Sequence, residues 1–161
     1  MDILSTTPLT LASTKAGMSA GTTSTLTTAN TQLYSMLGKA FSKAAVANEA
    51  TPTTDATTGV AFVPVPVLFG AVYTVCRDSA GALKVSQGPL QALDAGGTKF
   101  LYAPQFPALP STVCPIGYIT ILVKTGGATH TFGTSNLTGP PANTDINFVD
   151  VFTLPSRPQV A

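Results

Sequence analysis

The sequence predicts an all-β protein, and we expect a jelly-roll-like β-sandwich with an extended N-terminal arm. About seven or eight short segments are rich in β-branched and aromatic residues, and turn signals separate them at roughly ten-residue intervals, as in sandwiches and barrels. A chain of 161 residues has room for one domain with a real core and a tail. We therefore place the arm at residues 1–30 and the β-sandwich domain at residues 31–161.

The predicted arm consists mostly of Thr, Ser, Ala and Gly with a few isolated aliphatic side chains. No sustained period connects these apolar residues, so the segment has little that it can bury by itself. We expect residues 1–30 to be extended and to make most of their contacts with another chain.

Residues 31–47 have two interpretations. Their apolar residues follow the i, i+3, i+4, i+7 spacing of an amphipathic helix. The alternative is a pair of short strands, residues 33–36 and 40–44, in which Leu37-Gly38-Lys39 forms the turn and the glycine supplies its left-handed conformation. Periodicity alone favours the helix.

The clearest hairpin lies near the middle of the chain. Residues 71–77 and 82–86 are strand-like, and they flank Asp78-Ser79-Ala80-Gly81, which has Asp at the first turn position and Gly at the fourth. Before them, residues 60–69 are β-like but contain two prolines, which cannot donate to a ladder. We expect that segment at a sheet edge or in an extended connection.

Residues 87–99 contain several glycines and prolines among polar residues and are predicted to be a loop. Three prolines then give residues 104–110 an extended, polyproline-like path. We expect this strap to carry the chain from one sheet to another.

The strongest strand is predicted at residues 116–124, which are almost continuously apolar and should therefore be central and covered on both faces. Residues 129–132 are a possible short partner, and residues 146–154 form the last predicted strand. Four side chains of the central strand are expected in the core: Tyr118, Ile119, Ile121 and Val123.

Charge is scarce, since only 9% of residues are charged against about a quarter in an average soluble domain. A neutral surface rich in hydroxyl groups suggests a protein that is covered by neighbours in an assembly. Eight scattered basic residues against seven acidic ones form no stripe for a nucleic acid. The longest apolar stretch, residues 60–75, is interrupted by Pro and Gly, and no secretory signal is seen, so we expect no membrane span and synthesis in a cytoplasm.

Residues that carry chemistry are few. His130 is the single histidine, and we expect it in an exposed turn; a hydrolase would have no other base. Cys76 and Cys114 are interpreted as half-buried reduced thiols, with a disulfide as the alternative. We predict no enzymatic activity, no catalytic, cofactor-binding or metal-ligating residues, and no cofactor.

The carboxylates have structural explanations. Asp78 and Asp94 lie beside turn residues and are expected to accept hydrogen bonds from turn N–H groups. Asp145 and Asp150 are an odd number of residues apart, so a strand would point them to opposite faces. They are not expected to form a catalytic pair.

The chain from about residue 34 to 158 resembles the small structural proteins of tailed-bacteriophage virions that decorate or cement the head shell. The resemblance lies in the order and spacing of several segments: Leu37-Gly-Lys-Ala-Phe-Ser-Lys-Ala44, Asp78-Ser-Ala-Gly-Ala-Leu-Lys-Val-Ser-Gln-Gly88, Ala103-Pro-Gln-Phe-Pro107, Cys114-Pro-Ile-Gly-Tyr118, Thr131-Phe-Gly-Thr-Ser-Asn-Leu137 and Phe148-Val-Asp-Val-Phe-Thr-Leu-Pro-Ser-Arg-Pro158. Similar chains carry a Gly-Lys-x-Tyr/Phe turn, which favours the hairpin for residues 33–44.

This resemblance implies no catalysis and no cofactor. It implies a capsid decoration or cement protein that binds the major capsid protein on the outer surface of the shell and associates with itself, a trimer being the favoured homo-oligomer. The expected location is the virion, after synthesis in the host cytoplasm, without a nucleic-acid or membrane partner. The alternative is a head-fibre or tail-associated adhesin that binds a host receptor.

Overall fold

The computed structural model describes residues 10–155 and residue 158. The fold is all-β, as the sequence predicts, and the described residues include no helix. The strands of this part of the chain are β1 (Leu11–Ala12), β2 (Met18–Ala20), β3 (Leu26–Thr28), β4 (Gln32–Met36), β5 (Lys39–Lys43), β6 (Val46–Glu49), β7 (Phe69–Asp78), β8 (Leu83–Gln87), β9 (Gln91–Ala92), β10 (Val113–Val123) and β11 (Thr144–Asp150).

One large antiparallel sheet organises the molecule. Its strand order is β11-β10-β7-β8, and β9 pairs with the start of β7. All residues of β10 are buried, because the strand has a neighbour on each side and both faces are covered. The four predicted core side chains of this strand, Tyr118, Ile119, Ile121 and Val123, are all buried, so that prediction is confirmed.

Two smaller sheets, in the orders β1-β4-β5 and β2-β3-β6, complete the described strands. A jelly roll has eight strands arranged as two Greek keys. One large sheet and two three-stranded sheets do not have this arrangement, and the jelly-roll expectation is not confirmed.

The described part of the predicted arm is integrated into the domain, which corrects the expectation for residues 10–30. β1 pairs with β4, β3 pairs with β6, and Ala16 and Leu26 are buried in the main core. Strands of two or three residues need no long apolar period, because each contributes only one or two side chains to a core built by the rest of the chain. Residues 1–9 lie outside the described residues.

Residues 32–43 form a hairpin, so the helix is wrong and the two-strand alternative is confirmed. β4 and β5 pair from Gln32 with Lys43 to Met36 with Lys39. The two loop residues, Leu37 and Gly38, have φ angles of 49° and 77°. Two successive positive φ values are typical of a type I′ turn, whose twist matches that of a hairpin.

The predicted β7–β8 hairpin is also confirmed. The Asp78 carboxylate accepts hydrogen bonds from the N–H groups of Ala80 and Ala82, both at 2.9 Å. Gly81 has a φ of 77°, and its N–H donates to the carbonyl of Asp78. These contacts explain the Asp and Gly positions that identify the turn in the sequence.

The proline-rich strap has a different role from the predicted one. It connects β9 to β10, which belong to the same sheet, and so does not lead to another sheet. Phe106 of the strap packs edge-on against Tyr118 with ring centroids 5.1 Å apart. The strap thereby helps to cover the second face of the large sheet, together with Val151 and Leu154.

Residues 129–132 do not form a strand beside β10. The partner of β10 on that side is β11, which is paired from Thr144 to Asp150. His130 instead forms an isolated bridge with Val65 of the proline-containing segment. Residues 60–66 are thus an extended connection, as their prolines predict, and after a turn at residues 67–68 the chain enters β7 at Phe69.

Candidate functional site

The buried side chain of Arg77 connects three strands and one turn. The Arg77 side chain is fully buried, and its Nη1 and Nη2 donate to the two carboxylate oxygens of Glu49 at 2.7 and 2.6 Å. Its Nε donates to Gln32 Oε1 at 2.8 Å, and Nη1 also donates to the carbonyl of Gly81. Arg77 thus connects β7 to β4, to β6 and to the β7–β8 turn. Four of the five guanidinium N–H donors are used in these bonds, which is typical of a structural group.

His130 is fully buried, and the prediction of an exposed turn is wrong. Its backbone pairs with Val65 in both directions, at 2.8 and 3.0 Å. Neither ring nitrogen forms a hydrogen bond of good geometry, although the ring interacts with the backbone of Asn136. Burial lowers the pKa of His130, and the backbone of Asn136 opposes this effect in part. The ring has no contact with solvent.

The two thiols are free and buried, and the structure contains no bond between them. Cys114 lies opposite Arg77 in the β7–β10 register, while Cys76 lies opposite Pro115. Because side chains alternate along a strand, the two thiols point to opposite faces of the sheet, which rules out the disulfide alternative. Burial raises the pKa of Cys114 to about 11 and raises that of Cys76 further. Both are more buried than predicted, and neither is an activated nucleophile.

Most of these carboxylates accept hydrogen bonds from backbone N–H groups, as predicted for Asp78 and Asp94. Asp94 accepts hydrogen bonds from the N–H groups of Thr98 and Lys99, and these hold its pKa below the usual range. Asp145 pairs with Lys124 at 2.7 Å, while Asp150 accepts from the N–H groups of Gly17 and Met18. Asp145 and Asp150 therefore have separate partners and do not form a pair.

The surface carries a band without charged side chains, which is not among the features predicted from the sequence. We define the charge-free band as residues 60–64, 87–92 and 101–107, which include no Asp, Glu, Lys or Arg. It exposes large apolar side chains: Val60 is 61% exposed, Val63 53%, Leu101 57% and Tyr102 75%. Isolated exposed apolar residues are ordinary, whereas several on adjoining segments indicate a contact surface.

Hydrogen bonds hold the three segments of the band side by side. The Gln87 side chain donates to the Val63 carbonyl and accepts from the Val63 N–H, both at 2.8 Å. The Gln91 side chain donates to the carbonyl of Ala103, and the Leu101 N–H donates to the carbonyl of Ala92. The band therefore follows the β8–β9 edge of the large sheet, and its backbone is held in place before any partner binds.

A close backbone contact reinforces this edge. A Cβ atom on Gly88 would lie 2.6 Å from the carbonyl oxygen of Gln105, a distance that real Cβ atoms do not tolerate. The Gly88 N–H donates to the Val72 carbonyl at 2.7 Å, which holds Gly88 against β7 while the strap passes beside it. Glycine at position 88 is thus required for the strap to lie next to β8.

The sequence does contain a signal for this band. Residues 56–76 and 100–123 hold no charged residue at all, which is unusual for stretches of this length. These stretches include two of the three segments, 60–64 and 101–107, but not 87–92. The adjacency of the segments depends on the pairing of β7 with β9 and on the contacts of Gln87 and Gln91, which no local pattern encodes.

Comparison with known proteins gives no family assignment: no protein-family model, no curated protein and no solved structure matches the chain. Within residues 10–155 and 158, no group of three or more His, Cys, Asp or Glu side chains is placed to hold a metal ion. The same residues include no helix with the length and hydropathy needed to cross a membrane.

Proposed function

We propose that this chain is a structural protein of a bacteriophage virion that binds the outer surface of the capsid shell and decorates or cements it. The charge-free band is the observation that carries the proposal. It exposes Val60, Val63, Leu101 and Tyr102 on a pre-ordered edge, and it offers a partner shape and apolar area with few charges to desolvate. The neighbouring Asp55 carboxylate is buried and accepts hydrogen bonds from backbone N–H groups.

The chemistry of the described side chains supports a binding role over a catalytic one. The single histidine is buried without a hydrogen bond of good geometry on its ring, and both thiols are buried in the protonated form favoured by their raised pKa values. The best-connected polar cluster, around Arg77, is used to join strands. What remains accessible is a low-charge surface, which is suited to packing against protein.

The proposed partners are the major capsid protein and further copies of this chain, with a trimer as the favoured oligomer, in a virion assembled in the host cytoplasm. A surface with few charges gains little from electrostatic steering, so its binding relies on complementary shape and apolar contact. Many copies that bridge neighbouring shell subunits make such contacts effective through multivalency.

The test is to remove the protein from particles and add it back at low salt and at about 1 M salt, where screening acts within a few ångströms. We expect equal rebinding at both salt concentrations and a higher rupture temperature for the re-decorated shells. Loss of rebinding at high salt would mean that the scattered lysines carry the attachment. Rebinding without a rise in rupture temperature would leave decoration but refute cementing.

A further inference from the structure

Loop residues 128–138, which we call the clasp loop, hold several peripheral segments onto the large sheet. His130 bridges to Val65 of the proline-containing segment. The Leu137 and Thr138 N–H groups donate to the carbonyl of Thr23 in the β2–β3 turn, at 2.8 and 3.2 Å. Gly133, with a φ of 83°, lies directly against the backbone of Pro52.

The clasp loop is anchored from inside by an aromatic cluster. The Phe132 ring stacks on Tyr73 of β7 with centroids 4.7 Å apart and meets Phe62 edge-on at 5.2 Å. All three rings are buried, as is Leu137. If the loop opened, this cluster would lose its cover, the β2–β3 turn would lose its hydrogen bonds to residues 137 and 138, and Val65 would lose its bridge to His130.

The weak point of this anchor is His130, which is fully buried and whose ring interacts only with the backbone of Asn136, without good hydrogen-bond geometry. A neutral imidazole in this position is poorly satisfied, and a protonated one would be a buried charge without a charged partner. Packing therefore keeps the clasp loop closed although the His130 imidazole would be better solvated in water.

No neighbouring charge compensates a proton on this ring. The titratable groups on the surrounding elements are Tyr73 of β7, which burial keeps neutral, Glu49 of β6, which is bound to Arg77, and Asp55, whose oxygens accept from the N–H groups of Thr57, Thr58 and Gln87. The segments 16–30 and 56–76 carry no charged residue. Only the Asn136 backbone favours the protonated ring.

We propose that the clasp loop is an acid-sensitive latch: protonation of His130 opens residues 128–138, which breaks the bridge to Val65 and the hydrogen bonds to the β2–β3 turn. Val63 stays bonded to Gln87 of β8 in the open state. The direction follows from linkage. A histidine whose pKa is lower in the closed state than in the open state does not weaken the closed state at pH values above about 6.5. As the pH falls below that value, protonation favours the open state.

Hydrogen exchange of the whole protein at pH 7.5 and pH 5.0 tests the latch, with rates corrected for the intrinsic effect of pH. The reporter amides are those of Val65, His130 and Leu137, and the Ile119 amide of β10 reports global unfolding. We expect the reporters to exchange faster than Ile119 at both pH values. Their opening should increase by up to about 30-fold at pH 5.0, the limit for an imidazole that titrates at about 6.5 when exposed and stays neutral when buried.

The control is His130→Gln, which cannot be protonated and should lose this pH dependence. Reporters that exchange only together with Ile119, or an equal pH effect in both proteins, would overturn the proposal. Because the variant could fail to fold, the imidazole signal of the wild-type protein provides a second readout. The chain has one histidine, so the signal is unambiguous. A titration midpoint below 6.5 supports the latch, and a midpoint at or above 6.5 refutes it.

Discussion

At the scale of single residues, stability depends on how buried polar groups are paired. Among the described residues, Arg77 is the largest fully buried side chain, and Glu49, Gln32 and Gly81 accept its hydrogen bonds. A buried ion pair is not a large net source of stability, because desolvation offsets most of the attraction. Removing one partner, however, leaves the other charge uncompensated, and here it also disconnects β7 from two small-sheet strands.

Arg77→Ala should therefore lower the free energy of unfolding by about 3–5 kcal/mol in denaturant titrations. The matched control is Lys124→Met, which removes the exposed ion pair with Asp145 and should cost less than about 1 kcal/mol. Equal effects of the two substitutions would show that the Arg77 network does not connect the sheets.

Ile121 tests the position of the central strand. Its side chain is completely buried in β10. Ile121→Ala should therefore lower the free energy of unfolding by about 2–4 kcal/mol, because it leaves a cavity. Ile146 lies directly opposite on β11 and is only partly buried, so Ile146→Ala should cost less. A cost for Ile121→Ala below about 0.5 kcal/mol would contradict a core position.

At the scale of elements, the sequence predicts the turns and strands that depend on residues close to one another in the chain. The Asp78 turn and the apolar run of β10 are both read correctly, since each depends on residues next to one another. The β4–β5 hairpin is misread by periodicity, because Leu33, Met36 and Phe41 fit a helical spacing while tertiary pairing imposes strands. The role of residues 10–30 escapes prediction because their partners lie far along the chain, at positions such as Ser35 and Asp150.

The β4–β5 turn contains a conflict that a substitution should relieve. Leu37 has a φ of 49°, a conformation that costs a branched or bulky residue about 1–3 kcal/mol, and its side chain is 59% exposed. Leu37→Asn creates the Asn-Gly pair preferred in type I′ turns and should raise the free energy of unfolding by about 0.5–1 kcal/mol. Leu37→Ala removes the same apolar surface without this preference and should not stabilise the protein. A stabilising effect of Ala equal to that of Asn would point to lost apolar exposure as the cause.

At the scale of the whole molecule, an all-β scaffold presents a charge-free band along part of one sheet edge. The low charge of the surface follows from composition alone, whereas the band itself requires β8, β9 and the strap to meet at the same edge. The sequence thus predicts that the surface has little charge, but it does not predict where the charge-free band lies. The function we propose depends on that place.

Rebinding of a band variant to stripped particles tests this central claim most directly. Tyr102→Asp puts a charge at the most exposed apolar residue of the band, and a charge buried without a partner should weaken rebinding by at least about tenfold. The control is Leu37→Asp, which places the same charge at an exposed leucine of a different sheet and should rebind like the wild type. Undiminished rebinding of correctly folded Tyr102→Asp protein would contradict the proposal that the charge-free band binds the shell.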